Sequence, residues 1–357
     1  MRSKKQLFLF FVAIACIAAG SGIHESVFNN FLSDTFHLPA SQRGLLEFPR
    51  ETPGLLVALV AGMLFLLPET AMGTVGALIF CFGMVGMSQF GHNYGAMATC
   101  MVLGSVGQHL LMPVGSSVAI ALAEPNQRGR RLGQMAAMGT AGMMLGSGFV
   151  WLGLGRDAQQ YRVAFMAIGV AAAAGGLFYG RMRIPSMNKP KPRLLMRRKF
   201  WLYYLLEFIY GARKQIFITF GPWVLVRIYG LPATEIAKLL FIASSLGLIW
   251  KPLAGMLIDR FGERRVLVAD GLVLCLVCVG YGYAMVLADS AKVALLIASG
   301  CYILDELLFS LSTARTVYAS RLADSSQELT STLAMGISIN HISSMIIPIF
   351  AGALWMA

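Results

Sequence analysis

Two adjacent cations, Arg213 and Lys214, and two adjacent acids, Asp305 and Glu306, stand deep inside long apolar runs of the chain. An ionisable side chain at membrane depth is costly, so its presence calls for a partner, a water-filled cavity or a transport role. At helical rise each of these pairs lies about 20 Å into its run, and His109 lies at similar depth in an earlier one. His341 stands near the middle of the last run, and Lys251, just before Pro252, about 10–12 Å from one end of its own. Pro252 loosens the helix there and frees a carbonyl, which favours a cavity-facing Lys251. On a helix Glu207, Gly211, Lys214, Ile218 and Gly221 share one face, with Arg213 turned about 100° away. Tyr302, Glu306, Ser310 and Thr313 share another face, next to Asp305, Ser312 and Thr316. In the first run Glu25 groups with Asn29, beside Gly22, Ser26 and Asn30.

Two kinds of chemistry fit this set. In one, Arg213 or Lys214 meets an anionic group of a solute while Asp305 or Glu306 exchanges a proton or cation. In the other, the same cations and acids form interhelical ion pairs that hold two spans together. One pair can do both, and the residues alone leave the two readings open. For His109 and His341 an interhelical hydrogen bond is preferred over a proton relay. Glu47, Arg50 and Glu51 sit in Glu-Phe-Pro-Arg-Glu-Thr-Pro near a run's outer end. A local Glu47–Arg50 pair at i,i+3 is the economical reading, and an outer gate is the alternative.

Catalytic chemistry finds no such support. The chain has no His-Glu-x-x-His, phosphate-binding Gly-Lys loop or nucleophile elbow, so an enzyme, a cofactor and a bound metal are not expected. Cys275-x-x-Cys278 has metal or redox spacing, but it falls mid-run without a second ligand pair and is read as packing. The close spacing of Gly139, Gly142 and Gly146 is read as a small-residue helix contact.

These residues need spans to position them, and the composition supplies spans. Of 357 residues 57% are hydrophobic and 13% charged, about half the charge of a soluble chain. The pattern predicts eleven helices of membrane length, at roughly 7–32, 44–67, 71–90, 95–122, 133–154, 163–181, 200–226, 233–258, 265–288, 292–314 and 330–355. Arg2, Lys4 and Lys5 open the chain, and the run behind them is too long for a secretory leader, so it is read as the first span. With the N-terminus in the cytoplasm, 19 Lys and Arg fall in cytoplasmic segments, six on the opposite side and four within spans. That asymmetry explains the net charge of +12 without nucleic acid, and predicts a multi-pass protein of the cell inner membrane.

The chain also repeats. Leu38-Pro39-Ala40-Ser41 and Ala61-Gly62-Met63-Leu64 recur 193 residues later as Leu231-Pro232-Ala233-Thr234 and Ala254-Gly255-Met256-Leu257. Ala137-Met138-Gly139 matches Ala334-Met335-Gly336 at an offset of 197, which also aligns His109 with Glu306. The expected organisation is an N-terminal six-span half over 1–184, a basic cytoplasmic linker over 185–199 with Pro185, Pro190 and Pro192, and a C-terminal half over 200–357. The repeat calls for a twelfth span from about residue 360, so five spans of the second half are expected here and the twelfth is missing.

Between the eighth and ninth runs lies Gly-Met-Leu-Ile-Asp-Arg-Phe-Gly-Glu-Arg-Arg. This resembles the signature loop of the major facilitator superfamily at Gly255, Leu257, Asp259, Arg260, Gly262, Arg264 and Arg265. Gly255 is expected to let two helices approach closely and Gly262 to supply the turn. The resemblance implies an all-α membrane protein of two six-span pseudo-repeats that rocks around a midplane site. It further implies that the first, fourth, seventh and tenth spans line the cavity. The loop's first-half counterpart has Leu66 where Asp259 stands and Glu69 where Gly262 stands, without Arg or Lys. The surviving loop is expected to dock near Arg130, Arg131 and Gly133, with Asp259 as a single latch. The function implied is secondary transport of a small organic solute by a monomer in the bilayer, coupled to protons. Counting Arg213, Lys214 and Lys251 against Asp305 and Glu306 leaves +1, which suits an anionic or zwitterionic solute. The alternative is a non-transporting sensor or accessory subunit on the same fold.

Overall fold

The computed structural model describes residues 2–64, 67–124, 127–155, 159–184 and 196–356, with the side chains of 2, 3, 57–64 and 326 left aside. Leu66 of the first-half loop, Arg156 and residues 185–195 of the basic linker, Pro185, Pro190 and Pro192 among them, lie outside this set. The elements in chain order are α1 (Arg2–Phe36), α2 (Ala40–Leu45), α3 (Glu47–Leu64), α4 (Glu69–Phe90), α5 (Tyr94–Ala121), α6 (Arg128–Gly153) and α7 (Gln160–Gly180). After a 3-10 turn at Arg198–Phe200 follow α8 (Trp201–Arg227), α9 (Ala233–Phe261), α10 (Glu263–Gly282), α11 (Ala284–Leu287) and α12 (Ala291–Leu308). A second 3-10 turn, Phe309–Ser312, leads to α13 (Thr313–Leu322) and α14 (Ser326–Met356).

Among the described residues nine helices are long and apolar enough to cross a membrane, with α12, its 3-10 turn and α13 counted as one. By that measure the expected eleven is not reached. The shortfall falls on the second and seventh runs, now α3 and α8, and α8 carries Glu207, Arg213 and Lys214 in its length. Two ends also move. The ninth span stops at Gly282, before the short α11, and the tenth continues to Leu322 rather than ending near 314.

The chain forms two compact units. One comprises Met1–His37 and Pro49–Lys191; the other comprises Leu38–Phe48 and Pro192–Ala357. In the first, α1 packs on α6 and α7, and α4 on α5 and α7. The α1–α6 contact depends on missing side chains, because a Cβ on Gly142 or Gly146 would strike the backbone of Ala15 or Ala19. In the second unit α8 packs on α14, α12 on α9 and α10, and the short α2 also lies on α14. Gly44 of α2 sits against the Pro348 carbonyl and Gly352 against Ala40. The repeated Leu-Pro motif has the same local geometry in both places: Pro39 precedes α2 at φ −71° and ψ 160°, and Pro232 precedes α9 at φ −71° and ψ 162°.

The signature loop keeps one of its two glycine roles. Gly262 separates α9 from α10 at φ +81°, in the region that disfavours side chains, and its N–H donates to the Ile258 carbonyl at 2.9 Å. Among the described residues Gly255 does not serve a close approach, because a Cβ there would meet nothing within 4 Å.

These glycines define a stability test. Gly146→Val should overpack the α1–α6 contact and cost about 1–3 kcal/mol, seen as a lower unfolding temperature of the detergent-purified protein. Gly255→Ala should leave that temperature level or raise it, since a helical Ala is favoured over Gly by up to about 1 kcal/mol.

Candidate functional site

The second unit gathers most of the intramembrane charge, and α8 distributes it. Arg213 reaches α12, where its Nη2 donates to Asp305 Oδ1 at 2.6 Å. Lys214, one residue on and about 100° around the helix, reaches α14 instead and donates from Nζ to Asn340 Oδ1 at 3.0 Å. Glu207, two turns earlier, accepts from Arg315 Nε of α13 at 2.8 Å and from Asn340 Nδ2 at 3.5 Å. Lys214, Asn340, Glu207 and Arg315 therefore form one chain of contacts, with Arg213–Asp305 beside it. Gly211 lies between these groups and lets the Asn340 backbone close onto α8, and Ser344 Oγ donates to its carbonyl at 3.3 Å.

The broken tenth span makes the double pairing with α8 possible. Asp305 and Arg315 are ten residues apart, which in a continuous α-helix puts them about 80° out of phase. The four residues of the 3-10 turn Phe309–Ser312 each advance about 120° rather than about 100°, restoring roughly that 80°. Both side chains then face α8. The backbone at the break is answered locally: Trp250 Nε1 of α9 donates to the Leu307 carbonyl at 3.0 Å, and Ser310 Oγ donates to the same oxygen at 2.7 Å. Aromatic rings flank the cations, with the Arg213 guanidinium 4.4 Å from the Phe309 centroid and the Arg315 guanidinium 3.5 Å from that of Tyr210. Tyr210 and Phe309 meet edge to face at 6.3 Å. Arg213 keeps capacity in reserve, because its buried Nε and Nη1 have no hydrogen-bond partner among the described residues.

The other expected residues divide as follows. Glu306 lies one residue beyond Asp305 and is half-buried, and His341 is buried on α14. Tyr302 is buried among Leu225, Ile236 and Ala298, under Gly221. Lys251 on α9 is exposed. In the signature loop Asp259, Arg260, Arg264 and Arg265 are exposed. Elsewhere in the loop, Glu263 lies 3.0 Å from Arg321 of α13. Arg130 and Arg131, the expected partners of Asp259, hydrogen-bond locally, to Gln127 just before α6 at 3.5 Å and to Gln134 within it at 2.7 Å.

In the first unit Glu25 is exposed on α1 and Asn29 is buried one turn later. His109 turns Nδ1 to its own helix, 2.9 Å from the Ser105 carbonyl, and its Nε2 stands 4.0 Å from Glu51 Oε2 of α3. Glu51 is also 2.9 Å from Arg50. Glu47 belongs to the second unit, where it pairs with Arg43 of α2 and accepts from Gln215 Nε2 of α8 at 2.7 Å. All six cysteines are free, Cys275 and Cys278 being exposed.

Sequence reasoning missed Arg315, Asp270, Asn340, Gln215 and Arg43, and used Glu207 only to define a helix face. The expected tenth span ends at 314, one residue before Arg315, which is instead buried within the span. Asp270 carried a usable signal: it lies inside the predicted ninth span and meets the same test of membrane depth as Asp305. No pattern in the chain marks Asn340 or Gln215, since neutral amides inside spans are ordinary.

A two-unit helical bundle with paired charges inside its spans is the architecture of a membrane transporter. A family model described as Major Facilitator Superfamily matches residues 10–348, and the chain belongs to that family of transporters rather than to an enzyme family. A crystal structure of the nucleoside transporter NupG superposes with a TM-score of 0.77 at 13% identity, over 99% of this chain and 91% of that one. A bacterial homologue of the human lysosomal transporter Spinster, in an inward-facing, unoccupied conformation, gives 0.72 at 16%, over 99% and 82%. A D-xylose-proton symporter gives 0.68 at 16%, over 97% and 89%. No curated protein matches the sequence.

The Glu207–Arg315 contact can be weighed by a double-mutant cycle. Glu207→Gln or Arg315→Gln alone should cost about 3–5 kcal/mol, because each leaves a buried charge without its partner. The double variant should cost less than the sum, and Lys238→Gln, at the exposed Lys238–Glu235 pair, should change stability by less than about 1 kcal/mol. Denaturation of the purified protein in detergent reads all four.

Proposed function

We propose that the chain is a proton-coupled transporter of a small polar organic solute without net charge, a zwitterion or a neutral molecule. The observation that carries this is the Arg213–Asp305 pair at 2.6 Å beside a broken span, with two donors of Arg213 unfilled. Discontinuous spans at charged residues are where transporters place solutes and coupling ions. Arg213, Lys214 and Lys251 against Asp305 and Glu306 leave +1. Counted with every acid ionised, adding Arg315, Glu207 and Asp270 sets four cations against four acids, so the count does not single out an anion.

In this reading Arg213, Lys214, Tyr302 and His341 serve the solute in the second unit, and Glu25, Asn29 and His109 serve it in the first. Lys251 borders the path. Asp305 and Glu306 carry the proton, Glu47, Arg50 and Glu51 act at the outer end, and Gly255–Arg265 acts at the cytoplasmic end. The halves are 1–184 and 200–357, joined by the linker 185–199. The protein works as a monomer in the cell inner membrane with its N-terminus in the cytoplasm. That one structural neighbour is a proton symporter supports proton coupling only as a precedent for the fold.

Flux of a panel of zwitterionic, neutral and anionic metabolites into proteoliposomes, with and without an imposed proton gradient, tests the reading. Arg213→Gln should lower uptake by about 10-fold or more, the usual consequence of removing a charged hydrogen bond. Asp305→Asn and Glu306→Gln should each uncouple uptake from the gradient. Proton-coupled uptake left untouched by both would overturn the assignment. The alternative, a sensor or accessory subunit, is favoured by the first-half loop that lacks Lys and Arg. It predicts a solute that raises thermal stability without crossing the membrane.

A further inference from the structure

Asp270 is half-buried on α10, about 10 Å inside the helix end at Glu263, and its Oδ1 is buried without a hydrogen-bond partner. It forms no ion pair or hydrogen bond with any described residue. Its charged surroundings come from three elements. Arg213 of α8 and Arg315 of α13 both act on it electrostatically, and Asp305 of α12 repels it. Trp250, Ala254, Leu257 and Ile258 of α9 and Leu311 of the 3-10 turn form an apolar cluster with Val266, Val273 and Val277, which lie on the same face of α10 as Asp270, while Lys251 of α9 is exposed. On α10 itself the nearest other titratable groups are Arg264 and Arg265, exposed towards its start, and Cys275 and Cys278, exposed beyond it. Each arginine is already committed, Arg213 to Asp305 and Arg315 to Glu207.

Three acids thus compete for two arginines, and Asp270 is the one left over. A carboxylate in that position is expensive when ionised and inexpensive when protonated. Arg213 can accept a second acid without losing the first, because Nε and Nη1 are open while Nη2 holds Asp305. A guanidinium presents its five N–H groups as a rigid fork, so engaging the second edge turns the whole plane.

We propose that Asp270 is a proton-binding site, and that its ionised carboxylate engages the open edge of Arg213 and draws it from Asp305. With the proton bound, Asp270 is neutral and Arg213 rests on Asp305, as in this structure. When the proton leaves, α10 gains a charge that α8 must answer, and the α8–α12 contact loosens as α8–α10 tightens. The proton is the only species gained or lost. This rests on the proton-coupled reading above, but it assigns the titrating group to a residue outside that reading's own pair.

Infrared difference spectra of the reconstituted full-length protein across a pH step test it without knowledge of the solute. The carboxylic-acid C=O band that disappears on raising pH should be missing from Asp270→Asn and displaced in Asp270→Glu. It should persist in Asp305→Asn. Arg213→Gln should move the band's midpoint upward by about 1–3 pH units, since an opposite charge has been removed; a purely structural role would not move it. Asp270→Asn mimics the protonated form and should be at least as thermostable as the parent, and Asp270→Glu gives the readout independently. A band unchanged in both Asp270 variants overturns the proposal. A band lost in Asp305→Asn and kept in Asp270→Asn overturns it too, and leaves the earlier reading standing. Flux indifferent to a proton gradient, with the Asp270 band intact, would instead sink the earlier reading alone.

Discussion

The charges that α8 carries into the membrane lie on two of its faces and must be answered by more than one neighbouring helix, and the second unit is arranged around that requirement. Glu207 and Lys214 share one face and Arg213 is turned about 100° from Lys214, so no single partner helix satisfies all three. Asp305, Asn340 and Arg315 therefore come from α12, α14 and α13 respectively, and the packing of those elements follows the polar contacts as well as the apolar ones. Burial of ion pairs adds little stability compared with apolar replacements, whereas losing one partner is severe. Such pairs specify which helix goes where more than they strengthen the assembly. The same groups remain available for solute and proton chemistry, which a purely apolar contact could not provide.

Aromatic stacking narrows the freedom of these cations further. Arg213 over Phe309 and Arg315 over Tyr210 are held in their planes, and the two rings touch each other. A guanidinium restrained this way loses little further freedom when it meets a ligand or a second acid. Lysine in either place would keep the charge and lose both the fork and the stacking. Lys214 donates to the neutral amide of Asn340.

The fold was largely legible in the sequence because membrane spans are written in composition. Apolar runs, basic loops and the Gly255–Arg265 motif all report on a solvent boundary that does not depend on tertiary detail. The Gly262 turn was legible for a similar reason: a positive φ is a local demand. The site was less so. Arg213 and Asp305 were visible as costly residues at matching depth, but which cation met which acid depends on helix azimuth. Azimuth between two residues of one span depends in turn on whether the helix stays α. Arg315 was hidden by that uncertainty twice, once because the span seemed to end before it and once because the 3-10 turn changes its direction. Gly255 shows the opposite error, where a familiar motif suggested a helix contact that the geometry does not contain.

The four-residue turn at Phe309–Ser312 also bears on how this gene can change length. Removing or adding a single residue between Asp305 and Arg315 would swing one of them by about 100–120° and leave either Arg213 or Glu207 facing apolar side chains. Substitutions within the interval leave that angle alone so long as the turn survives. Over those ten positions the reading length is therefore held more tightly than the identity of the residues, a form of constraint that an insertion or deletion exposes and a point substitution does not.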